Sequence, residues 1–224
     1  MKLLSTSAKL EKSQNDNWLN YVLYLEPSVD YKSICAGSSK GCRASCLVNS
    51  GMMRMPVQTK ARIERTRLYI DDREAFMTKL VSELNAALKR AQKAGKRLAV
   101  RLNGTSDLDW SSVYMLYPDI QFYEYTKRVQ IVKAVSELPN VHITMSATEK
   151  TTPERIKLVT DNGTNVAMVF ADKVPATYKG FTVIDGDKHD RRFEDQQGVI
   201  VGLKLKGTNK AKQSAIDTGF ARYA

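Results

Sequence analysis

From residue 97 onward the chain repeats one rhythm: a short apolar run rich in β-branched and aromatic residues, then a polar cluster, then a helical or irregular stretch. The runs fall at 97–102, 119–125, 141–146, 165–170, 181–185 and 198–204, and an earlier one at 18–26 is stopped by Pro27. Runs of this length read as strands with most positions buried, and their alternation with helices predicts a mostly parallel α/β sheet. Six or seven strands fall short of the eight that close a barrel. The expected fold is an incomplete (β/α) barrel, with an open doubly wound sheet as the alternative.

The helices leave their own marks. Pro56 suits the first turn of a helix over 57–69. Asp71, Asp72 and Glu74 then open a second helix, where the dipole favours acids. Phe76, Leu80, Leu84 and Leu88 recur at four-residue spacing on its buried face, and Gly95 ends it. Thr152, Pro153 and Glu154 mark another start. The expected organisation is a single α/β domain over 1–206 followed by a basic tail at 207–224.

In a parallel sheet the carboxyl ends of the strands gather on one rim, and ligands bind there. The polar residues that follow the runs are therefore the candidates for binding: Asn103, Thr105, Ser106 and Asp107 after one strand, and Glu124, Tyr125 and Lys127 at the end of the next. Tyr123, Tyr125 and Lys127 could stack on and hold a flat anionic ligand, the competing reading being strand aromatics that simply fill the core. Ser146 and Glu149 follow a third run. Asp185, Asp187 and His189 close the series, where two carboxylates beside an imidazole could bind a divalent ion or move protons. The competing reading of that last group is an Asp-Gly turn with charged flanks.

All three cysteines lie within 35–46, at C-x6-C-x3-C spacing with Gly37 and Gly41 between them. An odd number of thiols is a poor disulfide framework, and the glycines would let the backbone bend around a bound group with its N–H donors turned inward. Three thiolates can hold three irons of a 4Fe-4S cluster and leave the fourth open. Zinc would need a fourth ligand from His142, His189 or a carboxylate. Buried thiols without metal are the third reading.

The chain carries 35 Lys and Arg against 24 Asp and Glu, a net charge of +11. That balance suits an anionic partner, either a small molecule or nucleic acid. Lys60, Arg62, Arg65 and Arg67 crowd the helix after the cysteines, either as a solvated face balanced by Glu64 or as a phosphate cradle. No apolar run is long enough to span a bilayer, and the first residues lack the apolar core of a signal peptide, so a cytoplasmic location is expected.

The cysteine spacing, together with Arg-Leu-Asn-Gly-Thr-Ser-Asp at 101–107, Gln-Phe-Tyr-Glu-Tyr-Thr-Lys at 121–127 and the runs at 165–170, 183–191 and 201–204, resembles a family of phage and prophage proteins related to the mycobacteriophage gene product 88 group. That resemblance implies a phage protein working in the host cytoplasm. The layout is also similar to radical S-adenosylmethionine enzymes, in which a three-cysteine loop follows the first strand of a partial barrel. Carried over, this implies Cys35, Cys42 and Cys46 as ligands of a 4Fe-4S cluster and places residues 103–107 near bound S-adenosylmethionine. That family's loop is C-x3-C-x2-C with an aromatic residue before the last cysteine, whereas here the spacings are six and three and Ser45 takes that place. The function expected is an iron–sulfur protein, redox or radical-SAM-like, acting on an anionic substrate. The alternative is a nucleic-acid-associated protein with a structural cluster or zinc.

Overall fold

The computed structural model describes residues 1–6, 17–135 and 137–224. In chain order the described residues form β1 (Leu4–Ser5), β2 (Trp18–Leu23), the short pair β3 (Ser28–Val29) and β4 (Lys32–Ser33), then α1 (Lys40–Ala44), α2 (Pro56–Asp71) and α3 (Arg73–Lys93). Next come β5 (Arg97–Arg101), α4 (Ser111–Leu116), β6 (Ile120–Thr126), α5 (Val129–Val135), β7 (Val141–Ser146), α6 (Pro153–Asp161) and β8 (Asn165–Phe170). The chain ends with β9 (Thr177–Tyr178), β10 (Phe181–Asp185), β11 (Ile200–Lys204), α7 (Asn209–Asp217) and β12 (Ala221–Arg222).

These elements divide into two compact units. The first comprises Met1–Ala36, Met55–Glu124 and Ala134–His142; the second comprises Gly37–Arg54, Tyr125–Lys133 and Ile143–Ala224.

In the first unit β2 pairs in parallel with β5, and β5 with β6, while β1 pairs antiparallel with β2. The register sets Tyr21, Val100 and Phe122 side by side, and alternation along a strand puts them on one face. Helices cover that face. Arg90 of α3 donates to the Tyr21 hydroxyl, and the Tyr114 ring of α4 lies 4.8 Å from that of Phe122. Phe76, Leu80 and Leu84 of α3 are fully buried, each burial stabilising by about 1.5–3 kcal/mol. Asp72 caps the helix by accepting from the Ala75 N–H at 2.9 Å, and Gly95 stops it at φ +62°.

In the second unit β7, β8, β11 and β10 follow one another through parallel pairings, and β9 adds antiparallel to β10. Met145, Val166, Met168, Phe170 and Ile200 form its core together with Ile156 of α6. Thr152 caps α6 at the Arg155 N–H, as the Thr-Pro-Glu sequence predicts.

The protein is thus a mixed α/β structure with mostly parallel strands. Within each unit the strand order is open, so neither is a closed barrel. The expected basic tail at 207–224 contributes α7 and β12, and β12 pairs in parallel with β8 at Val169 and Phe170. Among the described residues no helix is long and apolar enough to cross a membrane.

Candidate acid–base site at the carboxyl ends of β2, β5 and β6

Leaving β5, the chain turns at Gly104 across the end of β2, where the Gly104 N–H donates to the Leu23 carbonyl at 3.0 Å. A Cβ at position 104 would stand 2.6 Å from that carbonyl oxygen and from Val22 Cγ1, so only glycine lets the two segments lie this close. Thr105 Oγ1 donates to the Leu25 carbonyl at 2.5 Å, and the Asp107 N–H donates to that of Ile34 at 3.2 Å.

Asn103 organises the turn from within. Its side-chain oxygen accepts from Ser106 Oγ at 2.9 Å, the Leu108 N–H at 3.0 Å and Trp110 Nε1 at 3.2 Å, while its amide nitrogen donates to the Leu108 carbonyl at 2.9 Å. Asn103, Ser106 and Asp107 are all buried.

Glu124, projecting from β6, binds the same turn from the other side. Oε1 accepts the Leu102 N–H at 2.6 Å and Oε2 the Asn103 N–H at 2.8 Å, with the side chain 1% exposed. Burial pushes its carboxyl from the ordinary 4.5 up to about 7. The two backbone donors, the Arg101 charge and the Tyr114 hydroxyl pull the other way and keep it from rising further. Tyr114 itself is held well above the usual phenol range by burial, then by the charge and hydrogen bond of Glu124. The pair therefore offers a carboxyl that changes protonation near neutrality beside a hydroxyl that keeps its proton.

The remaining candidates lie in the second unit, where the structure gives several of them structural work. Asp185 Oδ1 accepts the Asp187 N–H at 2.9 Å, a local turn. Asp187 accepts from the Lys204 N–H at 2.9 Å and from Lys206 Nζ at 2.5 Å. His189 lies 3.7 Å from Asp195 and near the fully buried Arg192, whose guanidinium donates to the His189 carbonyl and sits 3.2 Å from Asp195 Oδ2. Burial raises the Asp195 carboxyl against the opposing charges of Arg192 and His189. Tyr125 and Lys127 are half-buried and follow directly on Glu124.

Cysteine geometry overturns the metal expectation. Cys35 belongs to the first unit and bridges in parallel to Asp107; Cys42 lies inside α1 of the second unit and Cys46 just beyond it. Among the described residues no three His, Cys, Asp or Glu side chains gather into a group that could hold a metal ion. The backbone donors are engaged elsewhere too. Glu149 accepts the Gly41 N–H at 3.1 Å and Ser39 Oγ at 2.5 Å, and Ser39 Oγ in turn caps α1 at the Cys42 N–H. Burial alone would raise Glu149, but these donors outweigh it and hold its carboxyl below the usual range. The iron–sulfur, structural-zinc and radical-SAM-like readings are therefore set aside: the segment 37–46 folds as a capped helical turn fixed by a carboxylate, not as a ligand cage.

The basic helix also differs from a phosphate cradle. Arg62 is buried with its Nε 2.8 Å from Glu26, and Arg65 donates to the carbonyls of Lys2 and Tyr24. Two of the four positive charges thus work inside the first unit.

The sequence reading missed Tyr114, which lies in no motif that singles it out, and the pairing of Arg192 with Asp195 three residues on. No curated protein and no solved structure matches the chain. The model of one family, described as gene product 88, matches residues 1–223, and the chain belongs to that phage gene-product family.

Proposed function

We propose that this chain carries a proton-transfer site for a polar, anionic small molecule, built on Glu124, Tyr114 and the 103–107 turn at the carboxyl ends of β2, β5 and β6. The observation that carries the reading is a buried carboxyl with a pKa of about 7 at a strand end, where parallel sheets place their ligands. A general base works best when its pKa lies near the operating pH, and a carboxylate gripped by two backbone N–H groups is already oriented. Asp107 and Thr105 extend from the same turn and supply polar contacts. The net charge of +11 favours an anionic substrate through long-range attraction.

The test uses proton NMR of anionic metabolites incubated in deuterated buffer with the wild-type chain and with Glu124→Gln. Deuterium incorporation or conversion that requires the wild-type carboxyl supports the reading. If the wild type and the variant act alike on every compound, or if carbon-13 NMR finds Glu124 titrating at an ordinary carboxylate value, the reading fails.

A further inference from the structure

Among the described residues ten large apolar side chains are exposed, and four of them, Leu47, Met52, Met55 and Val57, fall within eleven consecutive positions. Met52 and Val57 keep 72% and 75% of their surface. The backbone that presents them is folded. Leu47–Asn49 and Gly51–Arg54 form two 3-10 turns, in which the Asn49 N–H donates to the Cys46 carbonyl at 3.0 Å, the Ser50 N–H to that of Leu47 at 3.0 Å and the Met53 N–H to that of Ser50 at 3.2 Å. Val48 is buried as an anchor, and Pro56 then starts α2.

Charge follows the same stretch. No acidic residue occurs between Asp30 and Glu64, while Lys40, Arg43, Arg54 and Lys60 are all exposed. Arg43 donates to the Ser38 carbonyl at 2.7 Å, and the Glu149 carboxylate is engaged by Ser39 Oγ and the Gly41 N–H. Lys40, Arg54 and Lys60 have no ion pair among the described residues. Along the chain the exposed apolar residues are thus flanked by Lys40 and Arg43 on one side and Lys60 on the other, with Arg54 between.

We propose that the stretch from Lys40 to Lys60 binds an acidic protein segment that carries apolar side chains of its own. Exposed apolar residues among polar ones mark interaction surfaces, where methionine and arginine are enriched. The thioether side chain adapts to the shape set against it, and the unbalanced positive charges attract and orient an acidic partner. Single-stranded nucleic acid would stack on aromatic rings, and none occurs between Tyr31 and Tyr69. A membrane surface is met by an amphipathic helix, whereas Leu47 and Met52 sit on 3-10 turns and Met55 and Val57 at the very start of α2. The proposal does not depend on whether Glu124 transfers protons.

Fluorescence anisotropy of a labelled peptide of leucine and glutamate, its leucines recurring at helical spacing, tests this with the full chain. The peptide should bind, and polyglutamate should bind about tenfold more weakly or worse, since it offers charge alone. Met52→Ser with Val57→Ser should weaken the peptide by about tenfold or more at unchanged circular dichroism. Arg54→Gln with Lys60→Gln should weaken it and flatten its dependence on salt. Leu158→Ser removes an equally exposed apolar side chain from α6 and should bind as the wild type does. The proposal is overturned if the peptide does not bind, if polyglutamate binds as tightly, if the Met52 and Val57 double variant keeps wild-type affinity, or if Leu158→Ser weakens binding as much. It is also overturned if single-stranded DNA or phosphatidylglycerol vesicles bind more tightly than the peptide and lose that binding in the double variant.

Discussion

Glu124 Oε2 accepts the backbone N–H of Asn103 at 2.8 Å, so the residue that folds the 103–108 turn is held in place by a carboxyl that titrates near neutrality. Because the folded-state pKa of about 7 lies above the ordinary 4.5, the folded chain binds this proton more tightly than the unfolded one. The contribution is complete below about pH 4.5 and is lost as pH rises through about 7, a change of about 3 kcal/mol. Urea denaturation of the wild type across this window should show that decline superimposed on the titration of other groups. Glu124→Gln should be less stable at pH 5 and should lack this component of the slope. Parallel pH profiles for the two proteins would refute the assignment.

Asn103→Ala leaves the Leu108 N–H and Trp110 Nε1 without their acceptor, inside a buried turn. Each unsatisfied donor costs about 1–3 kcal/mol, so the variant should lose about 2–6 kcal/mol in chemical denaturation, and the near-ultraviolet circular dichroism of Trp110 should weaken. Asn103→Asp keeps the acceptor for all three donors but sets a second oxygen against the Leu108 carbonyl, a contact that is favourable only with that oxygen protonated, so in acid it should lose less than Asn103→Ala. Equal losses in the two variants would show that the acceptor is not what holds the turn.

The strands at 141–146, 165–170 and 181–185 coincide with β7, β8 and β10 because each is a short run rich in β-branched, aromatic or other apolar residues and bounded by turn formers, a signal local enough to read directly. The caps at Thr152 and Gly95 were legible for the same reason. How the cysteine segment folds was not, because the Gly41 N–H and the Ser39 hydroxyl are taken by Glu149, over a hundred residues away. Glu124 could be found as a polar residue at a strand end, but its pKa depends on burial and on Tyr114, which only tertiary structure brings to it. Arg62 read as part of a basic face, since nothing in the helix sequence reveals that Glu26 waits inside.

Ser39 serves two partners at once, capping α1 at the Cys42 N–H and donating to Glu149. Ser39→Ala removes both bonds and should cost about 1–2 kcal/mol, the usual loss for an N-cap with an added polar contact. The effect should be local. Cys42 should react faster with a thiol reagent, read by mass spectrometry of labelled peptides, while Cys35 in the first unit keeps its wild-type rate. Uniform acceleration of all three cysteines would mean that the substitution destabilises the chain globally rather than loosening α1.

Arg62 is the buried basic residue of α2, and its guanidinium meets Glu26 at 2.8 Å and Thr59 Oγ1 at 3.2 Å. Around the same point the Glu26 N–H donates to Thr66 Oγ1 at 2.7 Å, so the helix and the chain after β2 share one polar cluster. Removing one member of a buried pair strands the other charge, and Arg62→Ala should cost about 3–5 kcal/mol. Replacing both by apolar residues of similar size, Arg62→Met with Glu26→Leu, should recover most of that loss, because the double variant leaves no uncompensated charge. A double-mutant cycle in urea measures the coupling directly. If the single and double variants are equally destabilised, the arginine acts through the packing of its stem against the helix and the ion pair contributes little.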